Sequence, residues 1–195
     1  MTNTLLLPLL DDFLLNLKVN NLSQETTYNY ERDLQVFQNF LQEAGFEFDN
    51  IDKKTILNYK AYLTSQDRKT PKSQKSLKKL TSFSMNRMLS SLRSYLKYLI
   101  EMDYKSPISP GEVKLVKTEK KHPKVGEFED IKKLIESPSI FEKNKVIAAR
   151  NRAIFETLLS TGLRISELVS LKKDQIDNTG RVFVLGKGKK KDLFI

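Results

Sequence analysis

The chain has no cysteine and a single histidine, His122. The missing thiols exclude disulfides and thiolate metal sites, and one imidazole is too few for a zinc centre, so no metal or other cofactor is expected. A cysteine-free composition suits the cytoplasm, which is the expected compartment. No apolar run approaches the roughly 20 residues needed to span a bilayer, so no membrane partner is expected. The stretch from Leu5 to Leu10 is short, lacks a basic start and runs into Asp11 and Asp12. It therefore does not read as a signal peptide but as the apolar face of a first helix. Acidic residues are also scarce, 24 against 34 lysines and arginines, for a net charge of +10. That excess favours a polyanionic partner, with nucleic acid ahead of an anionic membrane surface and a solvated basic surface as the bland alternative.

What is present is the material of an ordinary soluble protein: 195 residues, 39% hydrophobic and 30% charged, enough for one large domain or two small ones. The first hundred residues read as amphipathic helices. Leu6, Leu9, Leu10, Phe13, Leu14 and Leu17 recur at helical spacing before Asn20 and Asn21. Ser23 caps a second helix carrying Tyr30, Leu34, Phe37 and Leu41, which ends at Gly45. A third, near 53–64, groups Ile56, Tyr59 and Leu63. After a basic connector at 68–79, a fourth runs from about Ser84 to Glu101 with Met85, Met88, Leu89, Leu92, Leu96 and Leu99 in one stripe and Asn86, Ser90, Arg93 and Lys97 opposite.

Pro107, Pro110, Gly111 and the basic run from Lys117 to Lys124 mark 105–124 as an extended linker between a domain at 1–104 and another at 125–195. In the second domain a helix is expected over 127–136, with Phe128, Ile131, Leu134 and Ile135 sharing a face. Another, from Lys145 to Ser160, is expected to bury Ile154, Phe155, Leu158 and Leu159 before stopping at Gly162. A short helix from Ile165 to Lys172, a turn at Asp177–Gly180 and strands over 181–185 and 192–195 complete the pattern.

Two cations stand out. Arg164 follows the glycine stop at a helix start, where backbone amides add to its positive field, and Glu167 lies one turn on. Such a planar fork suits a phosphate, although an Arg-x-x-Glu pair taken alone reads first as a structural ion pair. Lys187 sits between Gly186 and Gly188 at the tip of the expected hairpin. A lysine there offers phosphate affinity and a proton for a departing alkoxide, and equally reads as a soluble turn.

The order of these elements resembles the tyrosine recombinases, the phage integrase family, and within it the Xer-like and integron-like branch. Ser23, Thr26, Tyr30, Asp33, Leu34 and Phe37, with the run Asn86-Arg87 and Leu89 to Tyr95, resemble the family's N-terminal core-binding domain. Arg150 to Ala153, Thr161 to Leu171 and Gly186 to Lys189 resemble the opening of its catalytic domain. The resemblance implies a mainly α protein of two domains: a four-helix core-binding (SAM-like) bundle, then the start of an α+β catalytic domain with a small β-hairpin. It implies catalytic roles for Arg164 at the scissile phosphate and Lys187 as general acid, with Glu167 supporting the arginine. The implied reaction cuts and rejoins double-stranded DNA through a 3′-phosphotyrosyl link, without ATP or metal, in a tetramer on two duplexes.

The departures are as informative. The seven tyrosines, at 28, 30, 59, 62, 95, 98 and 104, all precede Arg164, whereas the family nucleophile lies near the C-terminus. The His-x-x-Arg motif and the later His or Trp are absent as well. The chain is therefore expected to be the N-terminal part of a recombinase, monomeric without DNA, that binds DNA and neither cleaves nor joins it. Arg87, Arg93 and Lys97 on the fourth helix are the expected DNA contacts, with the 68–79 connector weaker. The competing readings are a type IB topoisomerase-like enzyme, a binding module that competes with a complete recombinase, and a remnant whose second domain leaves its core uncovered.

Overall fold

Ser23 accepts the backbone N–H of Thr26 at 3.2 Å and so satisfies one of the free amides that begin every helix. Helix α2 (Gln24–Ala44) then runs until Gly45, whose φ of +67° is a left-handed conformation that glycine enters without strain. In this computed structural model residues 7–65, 79–119, 125–185 and 191–194 are described, the last four and Leu185 by their backbone only. They fall into two units, divided between Lys121 and His122.

In the first unit α2 packs with α1 (Leu10–Val19), α3 (Lys53–Thr64) and α4 (Ser82–Glu101). Each start has a local cause. Asp52 accepts the Thr55 amide at 2.7 Å to open α3, and Thr81 accepts the Ser84 amide at 3.3 Å to open α4. The core is the one the periodicity marks out. Leu34, Phe37 and Leu41 of α2, Tyr59 and Leu63 of α3, and Leu89, Leu96 and Leu99 of α4 are completely buried. Each such leucine contributes about 1.5–3 kcal/mol of transfer free energy. Rings fill the seams: Phe37 meets Tyr59 edge-on with centroids 4.8 Å apart, and Phe13 meets Tyr95 at 5.5 Å.

In the first unit two stretches differ from the sequence expectation. The first helix begins at Leu10, not Leu6, because Pro8 disfavours helical geometry in the residue before it and Leu9 turns left-handed at φ +53°. Leu7 is buried all the same, and the Tyr95 hydroxyl donates to the Pro8 carbonyl. The stretch 105–119 is irregular, as its prolines require, but it is not a free linker. Ile108 and Val113 are buried in the first core, and the Asn86 side chain donates to the Val116 carbonyl at 2.9 Å while accepting the Val116 N–H at 2.8 Å.

The second unit is a helical hairpin, α5 (Phe128–Phe141) and α6 (Lys145–Thr161), followed by α7 (Ile165–Ser170) and an antiparallel pair, β1 (Val182–Leu185) with β2 (Lys191–Phe194). α5 runs five residues past its expected end, through Pro138. The proline removes the amide that would bond Leu134, and the Ser137 hydroxyl donates to that carbonyl at 2.7 Å instead. The expected burial fails here. Phe128 is 74% exposed, Leu134 53% and Leu159 54%, while Ile154, Phe155 and Leu158 are half-buried. Leu163, Val182 and Val184 form the small cluster that does close. Among the described residues no helix is long and apolar enough to cross a membrane.

Candidate nucleic-acid interface and phosphate site

The outward side of α4 carries Arg87, Ser90, Ser94 and Lys97 at positions i, i+3, i+7 and i+10, with Arg93 beside them. Ser90, Arg93, Ser94 and Lys97 line a shallow depression closed at one edge by Pro110. The three cations of this side of α4 are not alike. No salt bridge holds Arg93 among the described residues. Lys97 lies 3.3 Å from Glu101, a pair so exposed on both sides that it fixes little. Arg87 is anchored: its Nη1 donates to Asp33 Oδ2 at 2.7 Å, and that carboxylate is almost wholly buried.

Asp33 also receives the Ser91 hydroxyl at 2.8 Å. Burial raises its pKa above the ordinary value, and the bonds from Ser91 and Arg87 work against that rise. Asp33 and Ser91 were not among the site residues read from sequence. A signal was present: an acidic residue beside Leu34, on the apolar stripe of α2, needs a partner across the interface. Asn86 spends its amide on Val116 and so belongs to the packing of 105–119.

In the second unit Thr161 ends α6, Gly162 turns left-handed at φ +67°, and Arg164 stands at the N-cap of α7. The Glu167 carboxylate folds back over this turn. One oxygen accepts the Arg164 backbone N–H at 2.8 Å and the other accepts its Nη1 at 2.8 Å. Those two bonds, the backbone one foremost, hold the Glu167 carboxyl below its ordinary pKa. Glu167 is 12% exposed and Arg164 70%, so the pair is a guanidinium tethered at one nitrogen with the rest of its fork open to solvent. That arrangement can grip a tetrahedral oxyanion.

The structure thus brings Arg164 and Glu167 together, and sets Arg87, Arg93 and Lys97 on one helix. Lys187 lies outside the described residues, as do 68–78 of the basic connector. Among the described residues no cluster of three or more histidine, aspartate or glutamate side chains is arranged for a metal.

Residues 10–102 match the N-terminal SAM-like domain of phage integrases, and residues 125–193 match the phage integrase family itself. The chain belongs to the phage integrase family, the tyrosine recombinases. It is 35% identical over 184 residues to tyrosine recombinase XerC of Staphylococcus aureus (strain USA300), covering 92% of this chain and 56% of the relative. To tyrosine recombinase XerD of Pseudomonas putida it is 32% identical over 188 residues, covering 95% of this chain and 58% of that one. A crystal structure of XerA recombinase aligns with 94% of the integrase-family chain and 56% of its own, at 23% identity and a TM-score of 0.33. The chain therefore spans little more than half the length of the recombinases it matches.

Proposed function

We propose that the chain is the DNA-gripping part of a tyrosine recombinase: a module that binds duplex DNA in the cytoplasm, holds the phosphate to be cut, and does not itself cut it. The α4 face supplies backbone contacts through Arg87, Arg93 and Lys97. Arg164 is the cation for the scissile phosphate, tethered by Glu167, and Lys187 is the proton donor to the leaving 5′ oxygen. A phosphoryl centre gains negative charge as it becomes five-coordinate, and fixed donors aimed at it lower the barrier without reorganising.

The observation that carries this reading is the Arg164–Glu167 tether, which leaves the guanidinium oriented yet 70% exposed at a helix start. What keeps the chain from chemistry is composition. All seven tyrosines precede Tyr104 or are Tyr104 itself, and all lie in the first unit, where Tyr59 and Tyr95 are core residues. In this reading the chain is a monomer until it meets DNA.

The test is to titrate purified chain against a labelled duplex, then separate the mixture under denaturing conditions. Salt-sensitive binding with no covalent protein–DNA species is expected. A 3′-phosphotyrosyl adduct, or no binding at low salt, would defeat the proposal. The closed core of the first unit favours a related role, competition with a complete recombinase. Added chain would then lower recombination at a shared site, and an unchanged yield would exclude that role.

A further inference from the structure

Asp33 is a carboxylate that is 1% exposed, on the face of α2 that meets α4. Burying a charge is costly unless the pairing is close and complete, and here it is only half complete. Both donors, Arg87 Nη1 and Ser91 Oγ, converge on Oδ2. The other oxygen, Oδ1, is buried and has no hydrogen-bond partner. A clasp built for stability alone would use both oxygens against both terminal nitrogens of the arginine. Instead Arg87 is held end-on by one nitrogen, with 48% of its side chain exposed. Among the described residues its Nη2 and Nε have no partner.

We infer that Asp33 is a positioning residue: through its end-on bond it holds the Arg87 guanidinium as a pre-oriented fork whose free edge takes a DNA backbone phosphate. This rests on the DNA-binding reading above. A free surface arginine must give up rotamer freedom when it binds, whereas a tethered one has already done so. Arg93 and Lys97, nearly two and nearly three turns further along α4, lack such a buried tether and act mainly through charge. The same device recurs in the second unit, where Glu167 holds Arg164 by one Nη1 and leaves the rest of the fork open.

A positioning role for Asp33 and simple electrostatics give opposite signs. Asp33→Asn removes a negative charge near the DNA-facing side, so charge alone would tighten binding. Loss of positioning weakens it, because a neutral amide bonds the guanidinium less strongly than a carboxylate. Arg87→Lys keeps the ion pair with Asp33 but offers a point charge with no second planar edge.

Binding is measured by fluorescence anisotropy on a duplex of about 30 base pairs, at a temperature where melting curves show each variant folded. Both variants are expected to bind about fivefold more weakly than wild type. Unchanged or tighter binding by Asp33→Asn, or wild-type affinity in Arg87→Lys, would overturn the positioning role while leaving DNA binding intact. If the wild-type chain binds no duplex at all, the DNA reading fails and takes this inference with it. Should Asp33→Asn not fold, Arg87→Lys decides alone.

Discussion

Removing both untethered cations of α4 isolates the electrostatic part of the proposed grip. Arg93 and Lys97 are exposed, and Glu101, which pairs with Lys97 at 3.3 Å, is itself 52% exposed. A pair so hydrated costs roughly a factor of two to exchange for a phosphate. Each phosphate neutralised by a cation adds about 0.9 to the slope of log affinity against log salt, so the double variant Arg93→Ala/Lys97→Ala should lose about 1.8 from that slope. Across about 50 to 200 mM salt, a fourfold change, the wild-type chain should then lose about twelvefold more affinity than the variant. Stability should move by no more than about 0.5 kcal/mol, since both side chains are exposed. Anisotropy titrations of one duplex at four or five salt concentrations supply both slopes. Parallel lines at equal affinity would mean that this face is ordinary solvated surface and that the reasoning is wrong.

Other positions test the architecture. Leu96→Ala, at a completely buried site of α4, should lower the stability of the first unit by about 2–5 kcal/mol in urea unfolding, and a loss under 1 kcal/mol would contradict the packing. Gly162→Ala should cost about 1 kcal/mol, all of it backbone strain at φ +67°, since no atom lies within 4 Å of the added methyl group. A neutral result in thermal melts would mean that the turn before Arg164 is not left-handed. Asp52 is held below its ordinary pKa of 3.8 by the backbone and side chain of Thr55. Its capping contribution is therefore complete above pH 3.8 and lost as pH falls through the lower folded value. Asp52→Asn should flatten that part of the melting profile, and identical acid profiles would exclude the cap.

Helices α2, α3 and α4 were legible because each starts at a hydroxyl or carboxylate cap and carries an apolar stripe, as Ser23, Asp52 and the run from Met85 to Leu99 show, whereas the start of α1 at the left-handed Leu9 has no such cap. The second unit was legible in its order of elements and less so in its burial. Periodicity marks which face of α5 and α6 is apolar, but not whether a partner covers it, and Phe128 and Leu159 stay exposed. The Arg164–Glu167 pair followed from spacing within one turn. The Asp33–Arg87 pair did not, because its partners are 54 residues apart and meet only through the packing of α2 on α4. The hold on 105–119 was hidden for the same reason: Asn86 looks like any polar helix residue until Val116 folds back onto it.

The central claim, that the outward side of α4 lies on the DNA backbone, can be tested through an absence. With no native cysteine, a single engineered thiol reports one position. Ser90→Cys, in the depression beside Arg93, and Leu57→Cys, exposed on α3, are each mixed with a duplex carrying disulfide tethers on its phosphates. A protein–DNA crosslink that high salt suppresses is expected from position 90, and none above background from position 57. Crosslinking from 57 with none from 90 would contradict it.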